Sequence, residues 1–287
     1  MKIRFVINPI SGTGKQKEIE EYIAKYIENF EIIYTQKAGD ATKISKEAAK
    51  ENIDAVVAVG GDGTVNECLK GLVNTNTALG VIPCGSGNGF AYHIGMKRKI
   101  EQAIIQLKDT RIEQIDSCSA NGAPFVNVSG IGFDAHISNL FTTLKVRGLI
   151  NYLRIIFKEL TYKPQEYTIK YKDIERKVTA YMISCFNASQ YGNDAIIVPM
   201  ADIQDGLIDF VIVKDFPKWK IPLCLLKVVT GKAHLSKYVE IIKCQHMQIS
   251  ASNTLLHLDG EPYKASNPVK INVLPKSLKI LIPNREK

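Results

Sequence analysis

Ala55-Val56-Val57-Ala58-Val59, followed at once by Gly60-Gly61-Asp62-Gly63-Thr64, limits this chain's choices more than any other stretch. A short, continuous, β-branched run is what a strand covered on both faces of a parallel sheet requires, and it must stop at Gly60. Glycines at 60, 61 and 63 permit positive φ and carry no Cβ, so a polyphosphate can approach the backbone N–H groups directly. Thr64, with Glu67 three residues on, fits a capping box that starts a helix through Cys68, Leu69 and Leu72, its positive end facing the same turn. An anion is expected there. Asp62 is the odd member, because a carboxylate facing phosphates is repulsive unless a divalent cation lies between them or it takes a proton from a reacting hydroxyl. The plainer alternative is a turn aspartate making an Asx-type bond.

Two further loops repeat the pattern. Ile3 to Ile7 reads as a first buried strand ending in Asn8-Pro9-Ile10-Ser11-Gly12-Thr13-Gly14-Lys15. This is not a Walker A loop, because Pro9 stands where a glycine is needed and Gln16 where a Ser or Thr is needed. A helix is expected over 16–29, with Ile19, Ile23 and Ile27 on one face, then a strand Ile32-Ile33-Tyr34-Thr35 and a helix carrying Ala48 and Ala49. Ala78 to Ile82 makes another strand and runs into Pro83-Cys84-Gly85-Ser86-Gly87-Asn88-Gly89, which is not the Rossmann fingerprint because Phe90 occupies the last glycine's place. The βαβαβα alternation specifies a parallel sheet with helices on both faces. Three glycine-rich loops at the carboxyl ends of parallel strands converge on the edge where open α/β sheets bind ligands.

Near Arg111 the character changes. After a short helix at 101–108, strands are expected at 111–116, 125–128, 166–171, 177–184, 207–213, 240–250, 255–258, 269–273 and 278–282, which suggests a two-sheet antiparallel domain. Two apolar segments interrupt them. Residues 141–160 read as a helix with Leu149, Leu153, Ile156 and Leu160 on one face and Lys145, Arg147, Arg154 and Lys158 elsewhere. In 219–229, Trp219, Leu223, Leu225, Leu226 and Val228 are interleaved with Lys218, Lys220 and Lys227, although Pro222 argues against an unbroken helix. Either could lie against lipid or be an ordinary core helix with a solvated basic face.

The 287 residues suggest two domains, and 37 Lys plus Arg against 29 Asp plus Glu, a formal +8, favours an anionic partner. The basic residues are spread along the chain without zinc-finger or RNP spacing, so nucleic acid is not the expected partner. Six cysteines form no C-x-x-C pair and read as reduced thiols in a cytosolic protein. No apolar run approaches the roughly 20 residues of a membrane helix, and the N-terminus turns polar too early for a signal peptide.

Asn8-Pro9-Ile10-Ser11-Gly12, Gly60 to Glu67 and Gly85-Ser86-Gly87-Asn88, followed in order by Gly130-Ile131-Gly132-Phe133-Asp134, Asp205-Gly206-Leu207 and Asp259-Gly260-Glu261, resemble the diacylglycerol/sphingosine lipid kinase family, nearest its soluble bacterial branch. NAD kinases share the Gly-Gly-Asp-Gly-Thr element but carry a second Asn-Glu motif that is not found after it here. The resemblance implies an α/β nucleotide-binding domain over 1–116, a β-rich, sandwich-like lipid-binding domain over 117–287 whose last residues return to the first, and an active site between them. It implies ATP and Mg²⁺, with Asn8, Ser11, Gly12, Thr35, Gly60, Gly61, Asp62, Gly63, Thr64, Asn66, Gly85, Ser86 and Asn88 around the nucleotide. It implies a lipid acceptor met at a membrane surface by a cytoplasmic, peripheral protein, with a homodimer left open.

Phosphoryl transfer needs positioning, charge neutralisation and a base for the attacking hydroxyl. Gly260 permits a tight turn and Pro262 holds Glu261 extended, pointing its side chain from a loop. The resemblance makes Glu261 the base, with Asp62 as the competing candidate, and places Asp134 and Asp259 with the lipid. The spacing of Asp202, Asp205 and Leu207 suits one Mg²⁺ held by carboxylate and backbone oxygens, which the resemblance makes structural, with a plain β-turn at Asp205-Gly206 as the alternative. Asp116, closing a strand, is a candidate for a separate network of water and Mg²⁺ through which the resemblance has Asp62 act at the nucleotide phosphates. The third loop has Gly89 where the diacylglycerol kinases usually carry Asp, a pattern closer to the sphingoid and ceramide kinases. The five histidines show no ligand spacing and are read as structural. A catalytically silent lipid-binding protein on the same fold is the rival from another class.

Overall fold

The computed structural model describes residues 1–10, 16–143, 149–159, 161–192 and 194–284. The first half alternates as β1 (Ile3–Ile7), α1 (Gln16–Tyr26), β2 (Phe30–Tyr34), α2 (Asp40–Lys50), β3 (Ala55–Gly60), α3 (Asp62–Leu72), β4 (Ala78–Pro83), α4 (Gly89–His93) and α5 (Ile100–Gln106). Strands run in the order β2-β1-β3-β4 and all are parallel. β1, β3 and β4 are buried along their whole length, as expected of β-branched runs covered on both faces, whereas the edge strand β2 is only half-buried. Ile19, Ile23 and Ile27 are buried, although the helix ends at Tyr26.

The second half contains β5 (Thr110–Ala120), β6 (Ala123–Phe125), β7 (Val128–Gly132), α6 (Phe133–Thr143), α7 (Leu149–Lys158), β8 (Gln165–Tyr171), β9 (Ile174–Phe186), β10 (Ile208–Lys214), α8 (Ile221–Val229), β11 (Val239–Cys244), β12 (His246–Ser250), β13 (Leu255–Leu258), β14 (Glu261–Lys264) and β15 (Val269–Pro283). Its pairings are antiparallel. One hydrophobic cluster fills the α/β half and recruits Ile115, Leu278, Ile280 and Leu281, while a second lies inside the β half around Tyr167, Ile183, Phe210 and Met247.

Several strand boundaries differ from the sequence expectation. The strand at 125–128 is two, because the N–H groups of Val126 and Asn127 turn to Asp259 instead of a neighbouring strand. The strand at 240–250 breaks at Gln245. Conversely, 269–273 and 278–282 are one strand, β15, bulged between Leu274 and Leu278, with Lys276 at φ 50°. Its first half pairs with β12 and its far end meets β4 in parallel register, Ile280 opposite Leu79, so one strand joins the parallel and the antiparallel strands into a continuous sheet. β14 was not anticipated; it is a short edge strand, which tolerates Pro262.

Of the expected helix at 141–160, α6 and α7 are seen, while 144–148 and Leu160 lie outside the described residues. Pro222 sits in the first turn of α8, where its missing N–H has no intrahelical partner to lose. No helix among the described residues is long and apolar enough to cross a membrane.

Candidate active site

The parallel register places Asn8, Thr35, Gly61 and Cys84 on one edge of the sheet. Asn8 N–H donates to Val59 O (3.1 Å), Thr35 N–H to Ile7 O (3.0 Å) and Cys84 N–H to Gly60 O (2.9 Å), so the loops continue the sheet's own hydrogen bonding. Asn8 Nδ2 donates to Thr64 Oγ1 at 3.3 Å, joining first loop to second. Ser11 and Gly12 fall outside the described residues.

In the second and third loops Gly60, Gly61, Gly63, Gly85 and Gly87 serve for space and none has positive φ, which corrects that part of the expectation above. A Cβ on Gly85 would stand 2.4 Å from Gly61 Cα, because the second and third loops cross backbone against backbone. On Gly60 it would meet Thr64 Oγ1 at 2.4 Å, and on Gly87 Asp62 Oδ2 at 3.0 Å. The third loop is closed by Asn88, which accepts from Gly85 N–H (2.8 Å) and donates to Gly85 O (2.7 Å), leaving Ser86 exposed.

The capping box is also corrected. α3 begins at Asp62 with Gly61 as its N-cap, so Thr64 is already in the first turn. Glu67 reaches the neighbouring helix, accepting from Gly39 N–H (2.9 Å) and Ala41 N–H (3.2 Å) at the start of α2. Asn66 faces the second half: Nδ2 donates to Pro124 O (3.2 Å) and Asp259 Oδ2 (2.8 Å), so its assignment to nucleotide does not fit.

Asp62 Oδ2 accepts from Asn88 N–H at 2.8 Å, and the N–H groups of Phe90 and Gly89 also face the carboxylate at the start of α4. Burial, with the charge of Asp259, nevertheless pushes its carboxyl up to about 7 against those donors. The carboxylate thus ties two loops together and carries an unfavourable charge, which a cation beside it would offset.

The hairpin β13–β14 turns on Asp259 and Gly260, with φ of 49° and 90° and Leu258 opposite Glu261. Two left-handed residues match the twist of the flanking strands, which is why Asp-Gly serves here. Asp259 is buried and accepts from Asn127 N–H (2.8 Å), Val126 N–H (3.0 Å), Val128 N–H (3.1 Å) and Asn66. It therefore clamps the two halves together, and the expected contact with lipid does not fit it. Two residues on, Glu261 meets the same helix, α3, one turn nearer its start. Its carboxylate lies over the second loop, where a Cβ on Gly63 would be 2.6 Å from Oε1. The fold thus brings Glu261 and Asp62-Gly63 to one place from distant parts of the chain.

Asp134 opens α6 and is buried. Ser184 Oγ donates to its Oδ2 at 2.8 Å and Tyr191 OH at 2.5 Å, and His257 Nε2 lies 3.0 Å away. Burial raises and these partners lower the Asp134 carboxyl, which ends below its ordinary value; burial lowers the His257 imidazole, but Asp134 outweighs it and the net is upward. Asp134 is thus held by internal partners, of which Ser184 and His257 are buried and Tyr191 is part-exposed. His257 also accepts from Gly260 N–H through Nδ1 (3.2 Å), so Asp134 steadies the hairpin that carries Glu261. Ser184, Tyr191 and His257 had no local sequence signal; their partner is far away in the chain.

The expected metal group is not assembled. Asp116 is buried in β5 and uses Oδ2 for Gly206 N–H (2.7 Å) and Oδ1 for Lys276 N–H (2.7 Å). Asp202 and Asp205 accept from the N–H groups two residues on, Gln204 and Leu207, both at 2.9 Å. Lys243 Nζ, from β11, stands 2.7 Å from Asp205 Oδ2 and 3.7 Å from Asp209 Oδ2. No group of three His, Cys, Asp or Glu suited to a metal occurs among the described residues. These residues do not fit a structural Mg²⁺, because an ammonium already stands on the carboxylate.

An apolar cavity of about 220 Å³ lies in the second half between β9, β10, α7 and α8, lined by Phe133, Met182, Phe186, Val211, Leu225 and Val228 among others. Alternation along β9 puts Ser184 on the same face as Met182 and Phe186, so the Asp134 cluster borders the cavity's side of the sheet.

Residues 2–120 match the diacylglycerol kinase catalytic domain, and residues 127–282 the YegS C-terminal NAD kinase β-sandwich-like domain. The chain belongs to the bacterial diacylglycerol kinase and YegS-like lipid kinase family. Among its relatives, a Chromohalobacter salexigens protein named "Probable lipid kinase YegS-like" is 28% identical over 95% of this chain and 88% of that one. A Bacillus subtilis diacylglycerol kinase is 26% identical over 99% and 97%. A solved structure from Bacillus anthracis str. Sterne shares the fold, with a TM-score of 0.83 at 24% identity over 99% of this chain and 97% of that one.

Proposed function

We propose that this protein is an ATP-dependent lipid kinase that transfers the γ-phosphoryl group to the hydroxyl of a membrane lipid, with Glu261 as the base. The observation that carries the reading is the approach of Glu261 to Gly63: a carboxylate from the second half overhangs the glycine turn at the sheet's ligand edge. The nucleotide is proposed to lie along the Asn8, Thr35, Gly60–Thr64 and Gly85–Asn88 loops. Glu261 takes the hydroxyl proton as the lipid oxygen forms its bond to phosphorus and the bond to the ADP oxygen breaks. Asp62 is the residue that would hold Mg²⁺ near the phosphates, a role its raised carboxyl fits. The ion, when bound, supplies neutralisation of phosphate charge. The Asp134 cluster positions the hairpin, and the apolar cavity suits an acyl or sphingoid chain, with a diacylglycerol or a sphingoid-type lipid as acceptor.

Incubation with labelled ATP, Mg²⁺ and a panel of diacylglycerols, sphingoid bases and ceramides in mixed micelles tests this directly. One labelled phospholipid product is expected. Lipid binding without product from any acceptor would make the protein a silent member of its fold.

A further inference from the structure

We infer that the segment from Phe216 to Val239 is a docking surface for anionic bilayers, seated at the wall of the apolar cavity. The inference deepens the lipid-kinase reading and rests on it for its purpose, though its test does not. Across these 24 positions the sequence has Lys218, Lys220, Lys227, Lys232 and Lys237 and no Asp or Glu. The apolar side chains are unusually exposed. Trp219 is 76% exposed, and Leu223, Leu226, Val229 and Leu235 are all at least half exposed.

These residues are distributed by helical geometry. A 3₁₀ turn at Lys218–Lys220 leads into α8, and positions 219, 223 and 226 recur at i, i+4 and i+7 on the outer face. The opposite face, with Cys224, Leu225 and Val228, lines the cavity. One short helix therefore has apolar side chains on both sides, one towards an internal cavity and one towards solvent. A solvated surface helix has a polar outer face; this one does not.

Charge selects the occupant. A second copy of this chain would set five lysines against the same five, whereas an anionic leaflet attracts each of them and admits Trp and Leu to its interfacial zone. Lys220 Nζ lies 4.9 Å from the Trp219 ring centre and donates to Tyr238 OH at 2.8 Å, so the tryptophan is held at the surface by a built contact. Its position beside the cavity wall gives a lipid a route of one helix width between bilayer and cavity.

Trp219 is the only tryptophan of the chain, so fluorescence excited selectively at tryptophan reads this surface. The experiment titrates the full chain, without nucleotide, with phosphatidylcholine vesicles containing phosphatidylglycerol, and with pure phosphatidylcholine vesicles. A blue shift with the anionic vesicles that weakens with added salt is expected. Leu223→Gln/Leu226→Gln and Lys232→Glu/Lys237→Glu, each retaining Trp219, should each weaken vesicle affinity at least about tenfold. Their melting curves and their turnover of a short-chain, monomeric acceptor should match the wild type, which separates lost docking from lost folding or catalysis. No shift with anionic vesicles, an equal shift with neutral ones, or unweakened binding by both variants overturns the inference. A shift that follows protein concentration without vesicles identifies a second copy as the occupant and also overturns it. Since none of the binding readings uses turnover, a protein that docks but phosphorylates no lipid would refute the proposed function and leave this surface standing.

Discussion

Asp205-Gly206 and Asp259-Gly260 are the same dipeptide in two loops, both with a left-handed glycine, at φ 71° and 90°. Their carboxylates have different partners. Asp259 is enclosed by three consecutive N–H groups and an asparagine amide from the other half of the molecule. Asp205 makes a local bond to Leu207 N–H and holds a lysine from the adjacent strand. The turn chemistry sets the backbone in both cases, but what the carboxylate does depends on which donors the tertiary fold delivers. The hairpin closes the cleft and presents Glu261 beyond it; the other loop fastens a strand edge.

The largest expected effect tests the cleft side of that contrast. Glu261→Gln keeps size and hydrogen bonding but cannot accept a proton at neutral pH, so single-turnover phosphorylation should fall by ~10²–10⁴-fold while Mg²⁺–ATP still binds. A variant that loses nucleotide affinity but keeps its rate at saturating ATP would move the base to Asp62. Asp259→Ala should act on stability instead. It strands three buried N–H groups and Asn66, and urea unfolding should show a loss of about 3–5 kcal/mol. A loss under about 1 kcal/mol would mean the clamp is not what holds the halves together.

The hairpin also shows how far the sequence could be read. Glycine-rich loops after β-branched runs placed the ligand edge, because strand burial and loop position are local properties of the chain. The reason for the glycines was not local: the backbones of Gly61 and Gly85 need each other's missing Cβ, and Gly63 leaves room for the tip of Glu261. Likewise Thr64 and Glu67 had the right spacing for a capping box, yet Glu67 caps α2, a choice decided by how two helices pack. The same limit explains Asp116, Asp134 and Asp259, which a strand end or the family resemblance put among the ligands and which burial among internal donors makes anchors. β15 read as two strands because its bulge falls between two apolar runs.

A smaller effect separates Asp62 from these anchors. Its folded value of about 7 stands above the ordinary 3.8, so between those pH values the folded state retains a proton that the unfolded chain has released. The associated stability is complete below about pH 4 and lost as pH rises through 7. Asp62→Asn removes this group's titration. Without nucleotide, its melting temperature relative to the wild type should therefore improve from pH 5 to pH 8. A constant difference would show that the carboxylate is not raised.

The smallest effect concerns the other loop. If a lysine does there what a divalent cation would do, chelator without nucleotide should change the melting temperature of the wild type no more than that of Asp205→Ala, since no ion bound at this loop is removed. Lys243 stands directly opposite Asp209 on β10 and reaches Asp205, so it is positioned by strand register rather than by a flexible loop. Lys243→Met keeps the aliphatic stem and removes the charge, leaving two carboxylates facing each other. The part-exposed pair with Asp205 contributes little, but Asp209 is buried and loses its counter-charge, so a loss of about 1–3 kcal/mol is expected. The informative reading is the change in Mg²⁺ response: the variant should gain thermal stability from Mg²⁺ that the wild type does not, because a cation can now stand where the ammonium stood. Destabilisation of the wild type by chelator, abolished by Asp205→Ala, would show that the loop holds a metal after all and that its difference from the hairpin is smaller than the ion pair implies.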